Sequence, residues 1–184
     1  MKLDARSTLA QVAVAVGDAL RRHKIHAVLT GGACASLYTS GAGISDDVDF
    51  VLSGHVTRER LDEAMTAAGF KRRKEHYVHP GVPFYVDFPR GPLAVGSDLG
   101  VRPVRRHDRH GETLTLSATD ACRDRLAAFY HWNDRQSCAV AVRIALENVV
   151  GLARIRRWST EERATDKFEE FRRQLEKARQ RRRR

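Results

Sequence analysis

Apolar and polar positions along the chain alternate with two different periods, and the switches between them mark out elements. From Ser7 to Lys24 the apolar residues Leu9, Val12, Val16 and Leu20 fall on one stripe, which predicts an amphipathic helix packed on a sheet. The short apolar run from Ile25 to Thr30 predicts a buried strand. Gly31 and Gly32 follow, then Ala33 to Tyr38 as a short helix and Thr39 to Ile44 as a loop. Ser45 to Leu52 has a period of two, with Val48, Phe50 and Leu52 on one face of a strand and Asp47, Asp49 and Val51 on the other. Thr57 is a predicted N-cap, and Leu61, Ala64, Met65 and Ala68 form a helical stripe that stops at Gly69. Phe70 to His79 reads as a strand, Pro80-Gly81 as a turn, and Val82 to Phe88 as the returning strand. In that strand Phe84, Val86 and Phe88 share one face, Tyr85 and Asp87 the other. Pro89 to Gly100 is a loop, Val101 to Gly111 is basic and irregular, and Glu112 to Leu116 is a last short strand.

The pattern after that is helical. Ser117 to Asp120 has the form of a capping box and opens a helix through Trp132. Asn133 is expected to cap a second helix, Asp134 to Val150, ending at Gly151. Ser159 to Glu162 forms another capping box, expected to open the last helix. Its apolar residues Ala164, Phe168, Phe171, Leu175 and Ala178 are spaced four, three, four, three, so this stripe packs on something. Arg181 to Arg184 are expected to fray. The fold class is therefore α/β in the α+β sense: a mixed sheet flanked by helices over residues 1–116, followed by a helical part over 117–184 with an Arg-rich tail.

Charge adds a partner class. The 184 residues carry a net charge of +10, which favours a polyanion, nucleic acid above all. A solubilising tail is the plainer alternative, because much of the excess lies at the C-terminus. Cys34, Cys122 and Cys138 are scattered among apolar residues and read as reduced thiols, which points to the cytoplasm. No apolar run has the length of a membrane span. Leu9 to Val16 faintly resembles a signal sequence, but Asp4, Gln11 and the lack of a small-residue cleavage site argue against one. His76-x-x-His79 and His107-x-x-His110 have ligand-like spacing without a cysteine or a clear carboxylate partner, so zinc is not expected.

Chemistry concentrates in one stretch. Aspartate is disfavoured in strands, so Asp47 and Asp49 on the same face need a reason. A divalent cation shared with substrate phosphates supplies one; a solvated strand end is the alternative. Gly31 and Gly32 lie between a strand and a helix, where amide N–H groups attract phosphate, although a Gly-Gly pair alone is also an ordinary tight turn. Strand, Gly-Gly, helix, then Asp-x-Asp on the next strand resembles the nucleotidyltransferase superfamily, and is most similar to the AbiEii-type and related small prokaryotic nucleotidyltransferases. The resemblance runs from about Ile25 to Gln136. It includes Asp124 to Gln136, which is similar to a helix pair carrying a basic residue and then Arg-Asp at the next helix start.

The resemblance implies a third carboxylate on a neighbouring strand, for which Asp87 is the candidate; a surface aspartate on an edge strand is the other reading. It implies Mg²⁺ or Mn²⁺ on Asp47, Asp49 and Asp87, with an NTP as substrate. One ion would activate an acceptor hydroxyl and the other would stabilise pyrophosphate. It places phosphates near Gly31, Gly32, Ser36 and Ser45, and positive charge at Arg125. Asp134 belongs to the nucleotide site or is simply a helix-start charge. Two departures stand out: Arg125 replaces the usual lysine, and Gly41 to Ile44 lacks an arginine often found there. The implied activity moves a nucleoside monophosphate to a hydroxyl on tRNA, another RNA or a protein, in a toxin–antitoxin setting with a cognate antitoxin as partner. The alternatives are a nucleotide- or RNA-binding module that has lost catalysis, and a structural member of a toxin–antitoxin pair.

Overall fold

Thr8 starts the first helix by a reciprocal cap: its Oγ1 accepts from the Gln11 N–H, and Gln11 Oε1 accepts from the Thr8 N–H. Helix α1 (Leu9–Arg22) follows, burying Leu9, Val12, Val16 and Leu20 as its stripe requires. The computed structural model describes residues 3–39, 45–108 and 111–183. After α1 come β1 (Ala27–Thr30), α2 (Gly31–Ser36), β2 (Asp47–Leu52), α3 (Arg58–Ala67), β3 (Lys71–Arg73), β4 (His76–Val78), β5 (Tyr85–Asp87), β6 (Val104–Asp108) and β7 (Gly111–Thr115). The last four elements are α4 (Ala118–Trp132), α5 (Arg135–Glu147), α6 (Leu152–Glu161) and α7 (Thr165–Arg183).

The strands form one mixed sheet in the order β3-β4-β5-β2-β1-β7-β6. Strand β2 sits near the middle, antiparallel to β1 and parallel to β5, while β1 is parallel to β7. Helices α1 and α2 lie against the face that carries Thr113 and Thr115. A Cβ on Gly17 would fall 2.1 Å from Thr113 Oγ1, so only glycine lets α1 approach the sheet this closely. Cys34 Sγ on α2 is 3.0 Å from Thr115 Oγ1. All three cysteines are buried free thiols, and burial pushes the Cys34 thiol up to about 12.

Several expected elements are redrawn. The strand foreseen over Phe70 to His79 is a hairpin, because Lys74 takes a left-handed φ of 55° and turns the chain between β3 and β4. The returning strand is shortened to Tyr85–Asp87. Val101 to Gly111, foreseen as irregular, contains edge strand β6, which pairs with β7 along a run of basic residues. Asn133 is not the cap of α5: it ends α4 in the left-handed region, and Asp134 is the N-cap, accepting from the Ser137 N–H at 3.0 Å. Helix α5 stops at Glu147 rather than Val150. Ser159 does not open the last helix. It lies inside α6, buried, its hydroxyl 2.8 Å from both Ile155 O and Tyr130 Oη. Arg181 to Arg183 continue α7 instead of fraying, with Arg182 Nη1 donating to Leu146 O at 3.1 Å. His110 and residues 40–44 lie outside the described residues, and with them the second histidine pair and the expected loop arginine position.

Helix α7 buries Phe168, Phe171 and Leu175 against α4, α5 and α6 and leaves Arg172, Arg173 and Arg179 exposed. Phe171 has no accessible surface. Phe171→Asp is expected to cost about 3–5 kcal/mol, the loss of a buried ring together with an unpaired buried charge. Thermal unfolding checks this, and an unchanged Tm would show that α7 is not docked.

Candidate functional site

Pairing between β2 and its two neighbours assembles the acidic cluster. Parallel pairing sets Asp47 opposite Tyr85 and Asp49 opposite Asp87, and antiparallel pairing sets Thr30 opposite Asp49. Asp47, Asp49, Asp87 and Tyr85 therefore share one face of the sheet. The three carboxylates each offer an oxygen within 4.8 Å of the others, and all three are partly buried. Oxygens ligating one hard cation at about 2.0–2.6 Å lie up to about 4–5 Å apart, so the donor set suits a hard divalent cation.

The electrostatics carry the strain of that arrangement. Burial, then the charges of Asp47, Asp87 and Asp124, push the Asp49 carboxyl up to about 6, with Arg125 pulling the other way. Burial and Asp47 also raise Asp87, against His76. Asp47 is the main influence raising the Tyr85 phenol.

These shifts predict a stability difference. Asp49 holds its proton to a higher pH folded than unfolded, so its contribution favours the folded state at low pH and is lost as pH rises from about 3.8 to about 6. Asp49→Asn removes that loss. Without a divalent cation the variant should match wild type near pH 4 and exceed it at pH 7. The gap is about 1–2 kcal/mol once partial exposure is discounted. Parallel urea titrations at the two pH values read it directly. Wild type keeping pace with the variant at pH 7 would show that the carboxylates do not repel.

Gly31 stands against the cluster. Its φ is +68°, and a Cβ there would lie 2.6 Å from Asp49 Oδ2. Gly31→Ala is thus expected both to strain the backbone and to displace the Asp49 carboxylate. It should lower stability by about 1–2 kcal/mol and weaken divalent-cation binding, followed by Mn²⁺ electron paramagnetic resonance. Gly32 is buried beside it in the first turn of α2, where Thr30 gives no side-chain cap.

The remaining expected residues are placed as follows. Ser45 donates its hydroxyl to Asp47 Oδ1 and so joins the cluster. Ser36 is turned inward, donating to Ala33 O at 2.7 Å. Arg125 on α4 donates Nε and Nη2 to Asp124 Oδ2 at 3.1 and 2.7 Å. Burial works against its charge, but Asp124 beside it raises its pKa. The Arg125 charge acts on both Asp49 and Asp134, which brings α4 and the start of α5 to the site. Asp134 itself is engaged as a cap, accepting from Ser137 N–H and Oγ–H. Sequence reasoning passed over three neighbours: Asp124, Tyr85 and His76, whose ring packs 5.2 Å from that of Tyr85. Tyr85 was legible, being two residues before Asp87 on the same strand face. His76 was not, because its strand had been read as continuous.

No protein-family model matches the chain, and no curated protein does. Among solved structures it is similar to an antigenic nucleotidyltransferase-like protein from Paracoccidioides brasiliensis. The TM-score is 0.58 at 16% identity, over 82% of this chain and 81% of that one. At that identity the likeness is one of fold, and this chain has a nucleotidyltransferase-like fold.

Proposed function

We propose that the protein is a metal-dependent nucleotidyltransferase that moves a nucleoside monophosphate from an NTP to a hydroxyl acceptor. The observation that carries this reading is the convergence of Asp47, Asp49 and Asp87 within 4.8 Å at the end of β1 and the start of α2. Their mutual repulsion is what a bound cation relieves. When bound, Mg²⁺ or Mn²⁺ supplies neutralisation of phosphate charge and activation of the acceptor hydroxyl.

The chain's own residues do the rest. Gly31 leaves room for the Asp49 carboxylate, and the amides of Gly31 and Gly32 donate to phosphate oxygens. Ser45 and Ser36 hydroxyls reach the same phosphates by rotating away from Asp47 and Ala33. Arg125, held by Asp124, adds fixed positive charge where the leaving group develops negative charge. Asp134 anchors the start of α5 beside Arg125.

The acceptor we favour is tRNA or another RNA. Strand β3 presents Lys71, Arg72 and Arg73 to solvent at one sheet edge, β6 presents Arg105 at the other with Arg106 half-buried over Tyr38, and α7 presents Arg179 to Arg183. Contacts of this kind make affinity fall steeply with salt. An AbiEii-type role beside an antitoxin fits the same site and would place the acceptor or a regulator in a partner protein. A binding module without catalysis is the second reading. It is favoured by Arg125, whose Nε and Nη2 are already occupied by Asp124.

The test is incubation with each α-labelled NTP, Mg²⁺ and bulk tRNA. Label on RNA supports the transferase and its acceptor. Label on protein keeps the chemistry and overturns the RNA acceptor. Magnesium-dependent NTP binding with no transfer to any acceptor favours the binding module.

A further inference from the structure

Helix α4 carries one residue that its packing does not explain. Trp132, at its C-terminal end, is 78% exposed, whereas Trp158, the only other tryptophan, is 2% exposed and stacks on Tyr130. A large ring held in water loses the burial that normally stabilises it. A single exposed hydrophobe is ordinary on a protein surface, so position has to decide the matter.

Trp132 follows Arg125 by seven residues, which places both on the same face of the helix about 10 Å apart along its axis. Ala128, between them on that face, is small and partly exposed, while Leu126, Ala127, Phe129 and Tyr130 are buried. The face that runs from Arg125, whose charge acts on Asp49, to the exposed indole is therefore less buried than its flanks. Nor is the ring unsupported: His131 packs against it edge-on at 5.8 Å, and His131 is itself bonded to Glu162 at 2.9 Å. The separation of about 10 Å between Arg125 and Trp132 lies within the length of a nucleoside triphosphate or a dinucleotide.

We propose that Trp132 is a stacking platform for a nucleobase whose phosphate lies at the Asp47, Asp49 and Asp87 cluster. The inference rests on the transferase reading for what occupies that cluster. An indole face accepts any base, and the net charge of +10 draws polyanions such as nucleic acid to the surface. The base can belong to the incoming NTP or to the acceptor strand.

Trp132 emission reports the contact, since Trp158 is enclosed. Wild-type protein in Mg²⁺ is titrated with each NTP, with inorganic tripolyphosphate, and with a single-stranded RNA oligonucleotide. Stacking should quench the exposed emission with ligands that carry a base and not with tripolyphosphate. Trp132→Ala should weaken binding of the quenching ligand roughly tenfold to a hundredfold, leave tripolyphosphate binding unchanged, and be rescued by Trp132→Phe. Quenching by NTP alone assigns the incoming base; quenching by the oligonucleotide alone assigns the acceptor. Equal affinity of Trp132→Ala and wild type for both ligands overturns the platform, as does equal quenching by tripolyphosphate. A shift in Trp132 emission with protein concentration alone also overturns it, in favour of a contact between copies. If wild type binds neither NTP nor tripolyphosphate in Mg²⁺ but the oligonucleotide still depends on Trp132, the platform stands and the transferase reading falls. If NTP binding needs Mg²⁺ and neither NTP nor oligonucleotide binding depends on Trp132, the reverse holds.

Discussion

Asp49→Asn, Asp47→Asn and Asp87→Asn should each lower metal-dependent nucleotidyl transfer by about a thousandfold or more, equivalent to about 4 kcal/mol of transition-state stabilisation. Each change removes one of three hard oxygen donors and one of three negative charges from a cluster only 4.8 Å across, and an amide oxygen replaces neither fully. The fold should survive, because the three carboxylates repel one another and Asp49→Asn relieves part of that repulsion, so this variant should even gain stability at neutral pH. Asp46→Asn is the control. Asp46 precedes Asp47 but is exposed and outside the cluster, so its activity should stay within about twofold of wild type, as for surface changes away from such features. Steady-state kcat/KM with parallel Mn²⁺ binding checks the set. Equal losses for Asp46→Asn and Asp49→Asn would show that general negative charge, not a metal geometry, is what matters.

A large expected effect on stability, equal to that of Phe171→Asp, lies elsewhere. Arg123 on α4 is 1% exposed and donates to Asp98 Oδ2 at 2.6 Å and to Asp120 Oδ1 at 2.7 Å, with its guanidinium 4.8 Å over the Trp158 ring. Asp120, 2% exposed, also accepts from Arg154 at 3.0 Å and from Ser117 Oγ at 2.7 Å. This network ties the loop before β6 to α4 and α6. Glu162 reinforces it by accepting from Ser97 N–H and Oγ–H, both at 2.6 Å. Arg123→Ala should cost about 3–5 kcal/mol, since it leaves buried carboxylate charge undercompensated and opens a cavity beside Trp158. The Arg123 hydrogen bond holds Asp98 below the usual carboxylate range. Its share of stability is therefore present above about pH 4 and lost as pH falls through the lowered value. Wild type should lose stability in acid more steeply than Arg123→Ala does. Coincident acid limbs would remove Asp98 from the account.

What the sequence disclosed tracks the physics of each signal. Period-two alternation over Asp47 to Phe50 and the buried run of β1 were legible because burial on one face dictates residue type directly. Thr57 and Ser117 behave as caps, since a hydroxyl before a helical stripe has a local role. Ser159 has the same local signature and a different fate, because Tyr130 and the α6 backbone claim its hydroxyl through contacts the sequence does not display. Helix α6 escaped notice because it buries only Ile155, Trp158 and Ser159 amid arginines. Strand β6 was hidden likewise: an edge strand with exposed basic residues has no apolar face to announce it. At the site, Asp47, Asp49 and Asp87 could be nominated from strand faces, but their convergence depends on β2 pairing with β5, a contact between residues 38 positions apart. Asp124 was invisible for another reason: only the approach of α4 to β2 brings its charge to Asp49.

The central claim is that Asp47, Asp49 and Asp87 hold a divalent cation that carries the triphosphate. Anomalous diffraction at the manganese edge, from crystals grown with Mn²⁺ and a non-hydrolysable NTP, tests it most directly. The account predicts an anomalous peak bonded to oxygens of all three aspartates and to phosphate oxygens lying toward Gly31 and Gly32. Nucleotide bound elsewhere, or manganese absent from the three carboxylates while the nucleotide is in place, would contradict it.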